Sequence, residues 1–399
     1  MLPAIAVIGA AWGDEGKGLM VDYLSDDNAL VVRFNGGAQA GHTVVTPDGR
    51  RHVFSHVGAG ALRGAPTFLS RHFIINPMLF AKEMGSLRRL IGDPDIGADP
   101  DAVVTTPWDM LINQAIEDAR GDARHGSCGV GINETVTRCE RGDPRLILRL
   151  SDLSNPGRVD MVAGYIRSVY LPIRLQELGI EFAPALAGFA THPALRENFV
   201  AGCRRLADHV TMATPRFYAA AMGAKQIVFE GAQGLALDEV RGEMPHVTRS
   251  RTGLTNVIGL MDEFGLTEAR AVYVTRAYAT RHGAGPLRTH EEGLVYEDTT
   301  NAAHAYQGTM RFGHLDADRL AADIRADIES HTNIDGSIAL THVDQVPYEI
   351  HARASDKTEK FTYHDLLRLL TEKAGLPVRY QSHGPTRKDV GKRRFAGAT

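Results

Sequence analysis

The sequence predicts an α/β protein: a single large domain in which a mainly parallel central sheet is flanked by helices. Short apolar runs rich in β-branched residues recur along the chain, and most are bounded by glycine. Helical stretches separate several of these runs. Because proteins of this class bind ligands beyond the carboxyl ends of their strands, we expect the functional residues in the loops that follow the strands.

Five runs are predicted to be buried strands, and six stretches are predicted to be helices. The strands read AIAVIGAA, ALVVRFNGG, QIVFEGAQG, ARAVYVTRA and GSIALTHVD. The helices have apolar residues at roughly helical spacing and cover residues 78–90, 108–120, 162–178, 193–211, 315–328 and 363–374. No repeat or linker divides the chain, so we predict one domain over residues 1–399 with helical insertions.

The composition argues against several classes of protein. At 399 residues, with 43% hydrophobic and 23% charged residues, the chain can bury a large core. The net charge of -4 and a basic tail confined to residues 388–394 give no sign of a nucleic-acid partner. Cys128, Cys139 and Cys203 form no CxxC pair, which suits a reducing compartment and speaks against a zinc site. No apolar run approaches the ~18 residues of a membrane helix, so we expect a cytoplasmic protein without a membrane partner.

The first predicted strand leads directly into a glycine-rich loop, WGDEGKG, at the start of a predicted helix. Free amides and the helix dipole favour phosphate there, and Lys17 adds positive charge. The loop is not a Walker A motif, because Ala11 and Gly18 stand where that motif has glycine and Ser or Thr. A tight turn with surface charges is the alternative. Asp14 and Glu15 beside a phosphate site indicate instead magnesium binding or proton transfer.

The second predicted strand leads to another glycine-rich turn, RFNGGAQAGHTVV. A histidine after glycine is usually a packed or solvated residue. His42, however, follows this turn one strand after the loop that carries Asp14. We therefore expect the two side chains to meet at one edge of the sheet as acid and base.

These two segments together resemble the adenylosuccinate synthetase family. Further motifs of that family follow in the same order, namely FEGAQG with LD, PHVT, TRHGAGP, THVD and SHGPTR. TRHGAGP fits the family's TRxGxGP and SHGPTR fits its GPxR, whereas THVD resembles its TKxD without the lysine. The resemblance spans essentially the whole chain, and several ordered motifs are far more specific than any one of them. It implies the fold and the chemistry of that family.

The implied reaction is a two-step ligation driven by a nucleoside triphosphate. The N1 proton of a 6-oxopurine nucleotide is removed, the γ-phosphate is transferred to O6, and the amine of L-aspartate then displaces that phosphate from C6. Asp14 matches the family's base for N1 and, with the carbonyl of Gly41, its Mg²⁺ ligand. His42 matches the acid at O6, Lys17 the residue that stabilises the γ-phosphate, and Gln233 a further catalytic residue.

The resemblance also implies which residues hold the three substrates. For the triphosphate these are Gly13, Glu15, Gly16, Lys17, Gly18, Gly41, Thr43, Asp344, Gly384 and Pro385. For the acceptor nucleoside monophosphate they are Gln39, Ser127, Cys128, Gly129, Arg138, Gln233 and Thr248, and for L-aspartate they are Thr309 and Arg311. In this family the arginine at the acceptor phosphate comes from a neighbouring subunit, so a homodimer is expected. Cys128 departs from the family's threonine, and a thiol is the weaker hydrogen-bond donor.

Three departures from the family pattern bear on the choice of substrates. The arginine-rich TTGRxRR loop is replaced by NAAHAYQGTMRFGHLD, which keeps Arg311 alone. The Asn of NAGHT is Gln39, and the lysine of TKxD is His342, with Asp344 retained. This pattern resembles the bacteriophage branch of the family, 2-aminoadenylosuccinate synthetases that act on dGMP with ATP or dATP, which would place the enzyme in a host cytoplasm.

Ordinary adenylosuccinate synthesis from IMP and GTP is the alternative. Asp14 favours it, because many members of the phage branch lack that aspartate. For the donor, an aspartate such as Asp344 commonly reads guanine, but the loss of the lysine weakens that inference, so ATP and GTP both stay open. His342 is either a contact to the donor base or a strand-end residue satisfied within the protein.

Two other classes of function are weighed against the ligase. A nucleotide-binding regulator that has lost catalysis is compatible with the thinned arginine loop but not with the retention of the four catalytic residues. A small-molecule kinase would form a phosphorylated product without consuming aspartate. The basic segment 387–394 is most simply solvated surface, with a contact between Arg387 and the donor nucleotide as the alternative.

Overall fold

Seventeen strands and twelve helices form the protein in a computed structural model, which describes residues 2–298, 300–301 and 306–392. The strands are β1 (Ala4–Gly9), β2 (Ala29–Arg33), β3 (His42–Val45), β4 (Arg51–Phe54), β5 (Thr67–Leu69), β6 (Ile96–Ala98), β7 (Thr211–Met212), β8 (Gln226–Gly234), β9 (Ala269–Arg276), β10 (Ala279–Arg281), β11 (Arg311–Gly313), β12 (Leu315–Asp316), β13 (Ile334–Thr341), β14 (Glu349–Ala354), β15 (Lys357–Thr362), β16 (Val378–Ser382) and β17 (Val390–Lys392). The helices are α1 (Lys17–Leu24), α2 (Pro77–Leu90), α3 (Pro107–Arg120), α4 (Ile132–Cys139), α5 (Pro156–Tyr165), α6 (Leu171–Leu178), α7 (Pro184–Thr191), α8 (Pro193–His209), α9 (Pro215–Ala221), α10 (Leu254–Phe264), α11 (Ala317–Ile328) and α12 (Tyr363–Ala374).

Ten strands form one central sheet in the order β17-β16-β13-β9-β1-β8-β2-β5-β6-β7. Every neighbouring pair is parallel except β16 and β17. The five strands predicted from sequence are β13, β9, β1, β8 and β2, and they are five consecutive strands of this sheet. The predicted α/β class with a mainly parallel central sheet is therefore confirmed.

Two large hydrophobic clusters cover the two faces of the sheet, which is why its strands read as continuous apolar runs. In β1, Ile5 and Val7 belong to one cluster, and Ala6 and Ile8 belong to the other. The alternation of side chains along a strand sends successive residues into different layers of helices. Among the described residues, no helix is both long enough and apolar enough to span a membrane.

Three of the predicted helices differ clearly from the structure. The helix predicted over residues 193–211 ends at His209, because Thr211 already belongs to β7. The stretch predicted at 162–178 belongs to α5 and α6, which are separated by a π-helical turn over Ile166–Tyr170. The helix predicted from residue 315 begins at Ala317, because Leu315 and Asp316 form β12 and the side chain of Asp316 caps the helix by accepting from the amide of Arg319 at 3.0 Å.

Candidate functional site

The loop between β1 and α1 is organised by the side chain of Glu15. Its Oε1 accepts hydrogen bonds from the backbone amides of Ala11 at 3.1 Å and Gly13 at 2.8 Å. Its Oε2 lies 2.5 Å from Nζ of Lys17, and both charged side chains are buried. The Glu15 carboxylate is therefore engaged inside the loop, and binding of a triphosphate by this residue stays a prediction.

The same loop contains three residues in the left-handed backbone region. The φ angles are 96° at Gly13, 61° at Asp14 and 92° at Gly16. Glycine adopts this conformation freely, and aspartate tolerates it better than most residues. The carbonyl of Asp14 accepts from Nε of Arg276 at 2.6 Å, and its carboxylate lies 3.4 Å from Nε2 of His282. Neither Arg276 nor His282 has a role predicted from sequence.

His42 is held by a carboxylate from a distant part of the chain. Its Nδ1 lies 2.5 Å from Oε1 of Glu230, and Oε2 of Glu230 accepts from the backbone amide of Ala59 at 2.9 Å. His42 is 6% exposed and Glu230 is fully buried. Nε2 of His42 has no hydrogen-bond partner within the described ranges. The ring is therefore fixed in orientation, with Nε2 left available.

A buried arginine completes the electrostatics around this pair. Burial lowers the pKa of His42 below its ordinary value, although Glu230 opposes the shift. Burial raises the pKa of Glu230, but the positive charge of Arg33 and the bond to His42 outweigh it and leave that pKa lowered. The Arg33 guanidinium is fully buried and lies 5.1 Å from the centre of the Phe73 ring. Glu230 is therefore an ionised partner of His42. It lies in the FEGAQG segment, and no function of this glutamate is predicted from sequence.

Gln233 lies at the end of β8, the strand inserted between β1 and β2. Its φ is 57°, in the left-handed region, and its Oε1 is buried without a hydrogen-bond partner in the described part of the chain. The expectation that Asp14 and His42 meet at one edge of the sheet fits this arrangement, because both line the same cleft as Gln233. They are not on neighbouring strands, however, since β8 lies between β1 and β2.

The cleft beyond these strand ends has a volume of about 960 Å³. Small-molecule sites span roughly 300–1,000 Å³, so this cleft is at the large end of that range. Of the residues predicted from sequence, it is lined by Gly13, Asp14, Glu15, Gly16, Lys17, Gly18, Gln39, Gly41, His42, Thr43, Ser127, Cys128, Gln233, Thr248, Asp344, Gly384 and Pro385. Residues that are far apart in sequence thus lie around one space at the carboxyl edge of the sheet.

The turn after α3 contributes Ser127 and Cys128 to the cleft. Nδ2 of Asn113 donates to Oγ of Ser127 at 2.9 Å. Burial raises the pKa of the Cys128 thiol to about 11, so the thiol stays neutral at ordinary pH. Gly129 is not part of the lining, and its carbonyl accepts from Nε2 of Gln114 at 3.1 Å.

The expected role of Arg138 at an acceptor phosphate is wrong. Its guanidinium is fully buried between α3 and α4, with Nε and Nη2 at 2.8 and 2.9 Å from the carboxylate of Asp109. Nη2 also donates to the carbonyl of Val104 at 2.9 Å, and Nη1 donates to that of Leu146. This arginine points into its own chain and cannot reach a neighbouring subunit. The arginines that line the cleft are Arg51, Arg120, Arg174, Arg249, Arg276 and Arg281.

The residues predicted to hold L-aspartate do not line the cleft. Arg311 pairs with Arg281 across β10 and β11, and its Nη2 lies 2.5 Å from the carbonyls of Gly283 and Gly285. Thr309 is exposed. Part of the expected loop, residues 302–305, lies outside the described residues, as do residues 393–394 of the basic tail.

Arg281 is the arginine of this pair that lines the cleft. Burial, together with the charge of the neighbouring Arg311, lowers the pKa of Arg281 to about 10. A positive charge that is disfavoured in this way is stabilised by an arriving anion. Asn301 and Gln307 line the cleft as well, and both can donate and accept hydrogen bonds.

Asp344, Gly384 and Pro385 mark a different part of the cleft, beyond β13 and β16. Arg387 is not among the lining residues. Its Nη1 lies 3.2 Å from the carboxylate of Asp22, which is fully buried in α1. The contact that the structure records for Arg387 is therefore an ion pair within the protein and not a contact to a donor nucleotide.

The donor set fits Mg²⁺ bound together with substrate phosphates. Asp14 and Gly41 line the same cleft as Lys17. Within the described part of the chain, the Asp14 carboxylate forms no ion pair or hydrogen bond with a side chain apart from its 3.4 Å approach to His282. Within the described ranges there is no group of three or more His, Cys, Asp or Glu residues arranged for a metal ion. Mg²⁺ is commonly held by one or two carboxylates with water and phosphate oxygens, which is the set that one carboxylate and one carbonyl would complete.

Comparisons with known proteins identify the family of the chain. The sequence model of the family described as adenylosuccinate synthetase matches residues 6–362. The adenylosuccinate synthetase of Anaeromyxobacter dehalogenans strain 2CP-1 is 32% identical over 368 residues, covering 89% of this chain and 82% of the relative. That of Synechococcus sp. strain RCC307 is 33% identical over 313 residues, covering 76% and 68%.

Two solved structures share the fold. The fully ligated adenylosuccinate synthetase of Plasmodium falciparum superposes with a TM-score of 0.75 at 20% identity, covering 98% of this chain and 99% of that one. The succinoaminodeoxyadenylate synthetase of cyanophage S-2L, bound to dGMP and dATP, gives a TM-score of 0.63 at 19% identity, covering 98% and 95%. From the family match and the sequence identities, the chain belongs to the adenylosuccinate synthetase family of carbon–nitrogen ligases.

Proposed function

We propose that the enzyme joins L-aspartate to C6 of a 6-oxopurine nucleoside monophosphate, with hydrolysis of a nucleoside triphosphate. The observation that carries this proposal is the convergence of Asp14, Lys17, His42 and Gln233 around one cleft, with the His42 ring fixed by Glu230. These side chains supply a base, a fixed positive charge and an oriented imidazole, which is the set that phosphoryl transfer to O6 requires.

In the first step Asp14 takes the N1 proton of the acceptor base, and the electron pair moves to O6. O6 then attacks the γ-phosphorus, and the nucleoside diphosphate leaves. Lys17 and the loop amides stabilise charge on the transferred phosphoryl group, while bound Mg²⁺ would neutralise charge on the phosphates. The negative phosphates also favour protonation of His42, whose proton on Nε2 is then available to an oxygen.

In the second step the amine of L-aspartate attacks C6, and inorganic phosphate leaves. Two positive charges stand beside the cleft for the aspartate carboxylates, Arg281 in its lining and Arg311 behind it. A carboxylate accepts charge-assisted hydrogen bonds from arginine in a paired geometry. Arg311 reaches the substrate if its contacts to the Gly283 and Gly285 carbonyls are exchanged, so we assign the aspartate to this end of the cleft together with Thr309.

For the acceptor and donor we propose dGMP with ATP or dATP. Support comes from the loop that retains Arg311 alone and from His342 in place of the family lysine. The synthetase of cyanophage S-2L, whose structure contains dGMP and dATP, shares the fold. The remaining acceptor contacts are assigned to Gln39, Ser127 and Thr248, and the enzyme is proposed to act as a homodimer.

IMP with GTP is the second candidate pair, and specific observations favour it. The curated relatives at 32–33% identity are adenylosuccinate synthetases. Asp14 is also present and lines the cleft. Hypoxanthine and guanine both carry an N1 proton and O6, so the mechanism is the same for either acceptor.

A matched assay tests both pairs. Purified enzyme with Mg²⁺ and L-aspartate is offered IMP, dGMP and GMP in turn against ATP, dATP and GTP, and products are identified by mass. Turnover of dGMP with an adenine nucleotide supports the favoured pair, and turnover of IMP with GTP alone replaces it by the second. Nucleotide phosphorylation without aspartate would instead indicate a kinase.

A variant of the proposed base provides the control for this assay. Asp14→Asn removes the group that accepts the N1 proton but keeps the shape of the side chain. We expect turnover to be lost while nucleotide binding is retained. Near-normal turnover by a folded Asp14→Asn enzyme would rule out Asp14 as the base.

A further inference from the structure

The carboxylate of Asp298 organises a short turn at the wall of the cleft. Its Oδ1 accepts from the backbone amides of Thr300 at 2.8 Å and Asn301 at 2.9 Å, and its Oδ2 accepts from Nδ2 of Asn301 at 3.0 Å. A side-chain carboxylate that binds amides two and three residues ahead stabilises a local turn. All three residues line the cleft. The turn therefore holds the side chain of Asn301 in a defined position there.

The same carboxylate is held by Arg276 at the end of β9. Nη2 of Arg276 donates to Oδ2 of Asp298 at 3.1 Å, and its Nε donates to the carbonyl of Asp14 at 2.6 Å. Arg276 is buried, with 4% of its surface exposed. Burial raises the pKa of Asp298, but the hydrogen bonds from Asn301 outweigh it and lower that pKa to about 2. Three consecutive hydrogen bonds thus join Asp14, the proposed base, to Asn301.

Arg276 is also fixed from a second side. Its Nη1 donates to the hydroxyl of Tyr278 at 2.9 Å, and that hydroxyl donates to Oε1 of Gln345. Nε2 of Gln345 donates to the carbonyl of Glu297 at 2.9 Å, immediately before Asp298 in the chain. These hydrogen bonds close a ring that begins and ends at Arg276. Because each group is held from two sides, the ring resists displacement of any one member.

The side chain of Asn301 has one orientation in this arrangement. An ionised carboxylate only accepts hydrogen bonds, so the NH2 group of Asn301 faces Asp298 and its Oδ1 faces away. Within the described residues, Oδ1 has no hydrogen-bond partner, and it is not among their buried atoms that lack one. The turn therefore presents one accessible acceptor at the cleft wall, available to a donor on a ligand.

We infer that Oδ1 of Asn301 accepts a hydrogen bond from the amine of L-aspartate, and that Arg276 is the residue that positions this amide relative to Asp14. The identity of the ligand rests on the proposed function. Asp14 is proposed to meet N1, the ring atom next to C6, and the aspartate carboxylates are proposed to lie at Arg281 and Arg311. The amine must lie between C6 and those carboxylates. Asn301 is tied to Asp14 and lies in the connection between β10 and β11 that leads to Arg311. An amide oxygen accepts without taking the proton, so Asn301 orients the amine and takes no part in the bond changes.

Calorimetric binding of L-aspartate and of succinate, the same diacid without the amine, tests the contact. Both are titrated into wild type and Asn301→Leu with dGMP and ADP, and with IMP and GDP, so that no ligation occurs. The preference for aspartate over succinate should fall by about 10- to 150-fold in Asn301→Leu, the range of one hydrogen bond to a charged group. Asn333→Leu is the matched control, because this exposed amide lies outside the cleft lining, and it should leave the preference unchanged. A wild-type preference in Asn301→Leu overturns the contact.

The positioning role of Arg276 is tested by separating the two steps. Oxygen-isotope exchange between the bridging and non-bridging positions of the β,γ linkage of the donor triphosphate reports the first step in the absence of L-aspartate. Asn301→Leu should leave this exchange unchanged and lower kcat. Arg276→Lys keeps the charge but lacks the planar fork that makes three bonds at once, so it should slow both the exchange and kcat. Exchange at the wild-type rate in a folded Arg276→Lys enzyme overturns the positioning role.

The binding experiment keeps this inference separate from the proposed function. If no combination of substrates is ligated but the preference for aspartate over succinate depends on Asn301, the ligase reaction is wrong and the contact stands. If ligation proceeds and Asn301→Leu retains both its kcat and the wild-type preference, the inference fails alone.

Discussion

Replacing Glu230 with glutamine should slow the reaction while the substrates still bind in the cleft. Both oxygens of this buried carboxylate accept hydrogen bonds, one from Nδ1 of His42 at 2.5 Å and one from the amide of Ala59 at 2.9 Å. An amide of the same shape has one acceptor and one donor, so Glu230→Gln either loses one of these bonds or keeps both by forcing His42 into the tautomer in which Nδ1 accepts. In both cases the amide no longer stabilises a protonated imidazole. A hydrogen bond to a charged group contributes about 1.5–3 kcal/mol. If the bond to His42 stabilises the transition state by this amount relative to the bound substrates, its loss lowers kcat by roughly 10- to 150-fold.

The assay is the steady-state rate of aspartate-dependent product formation, with the free energy of unfolding measured in parallel. Glu263→Gln is the matched control. It makes the same chemical change at Glu263 on α10, whose half-buried carboxylate forms an ion pair with Arg71. The double variant of Glu230→Gln with His42→Asn should be no slower than His42→Asn alone, because Glu230 is argued to act through the imidazole. A folded Glu230→Gln enzyme with kcat close to wild type would refute the reasoning.

Three further perturbations have defined outcomes. Arg311→Leu should raise the aspartate KM by about 10- to 150-fold, the equivalent of one charged hydrogen bond, and an unchanged KM would assign that role elsewhere. Arg138→Leu should lower the free energy of unfolding by about 3–5 kcal/mol because it strands a buried carboxylate, whereas a raised acceptor KM in the folded enzyme would return this arginine to the site. Burial raises the pKa of Glu83, but the His52 imidazole 3.9 Å away and the hydrogen bond with His56 outweigh it and hold the pKa below its ordinary value of 4.5. Glu83→Gln should therefore lower the free energy of unfolding by its full amount above that pH and by less as the pH falls. Chemical denaturation at neutral and acid pH measures this difference. A loss of free energy that does not change with pH would contradict the prediction.

The five central strands could be predicted from sequence because their position makes them apolar on both faces. β1, β2, β8, β9 and β13 each contact helices on two sides, so burial alone identifies them. The edge strand β7 has two residues and β6 has three, and runs of that length carry no periodicity. The π-helical turn within residues 166–170 also leaves no mark in a pattern of apolar spacing.

Residues around the cleft could be predicted from sequence where they lie in or next to glycine-rich turns. Asp14, Lys17 and His42 lie in glycine-rich segments that follow predicted strands. The order of the family motifs placed Gln233 with them. Arg138 was misassigned because an arginine near a phosphate turn has the right charge, although its spacing is short by several residues. Sequence does not reveal that Asp109, one helix earlier, is buried opposite it and takes its charge.

The partner of His42 was missed for a reason of topology. Glu230 is 188 residues away along the chain, and it reaches the histidine because β8 inserts between β1 and β2. The position of Glu230 could have been predicted from sequence, because Arg33 and Glu230 are charged residues within mainly apolar strands. The structure places them in register on neighbouring parallel strands, both fully buried. A buried charge is costly unless an opposite charge offsets it, and the Arg33 guanidinium lowers the pKa of Glu230 through its charge, although it makes no hydrogen bond within the described residues. A predicted buried strand that contains a charge should therefore be examined for an opposite charge in another strand. Applied here, that criterion pairs β2 with β8 and brings Glu230 to the turn that ends in His42.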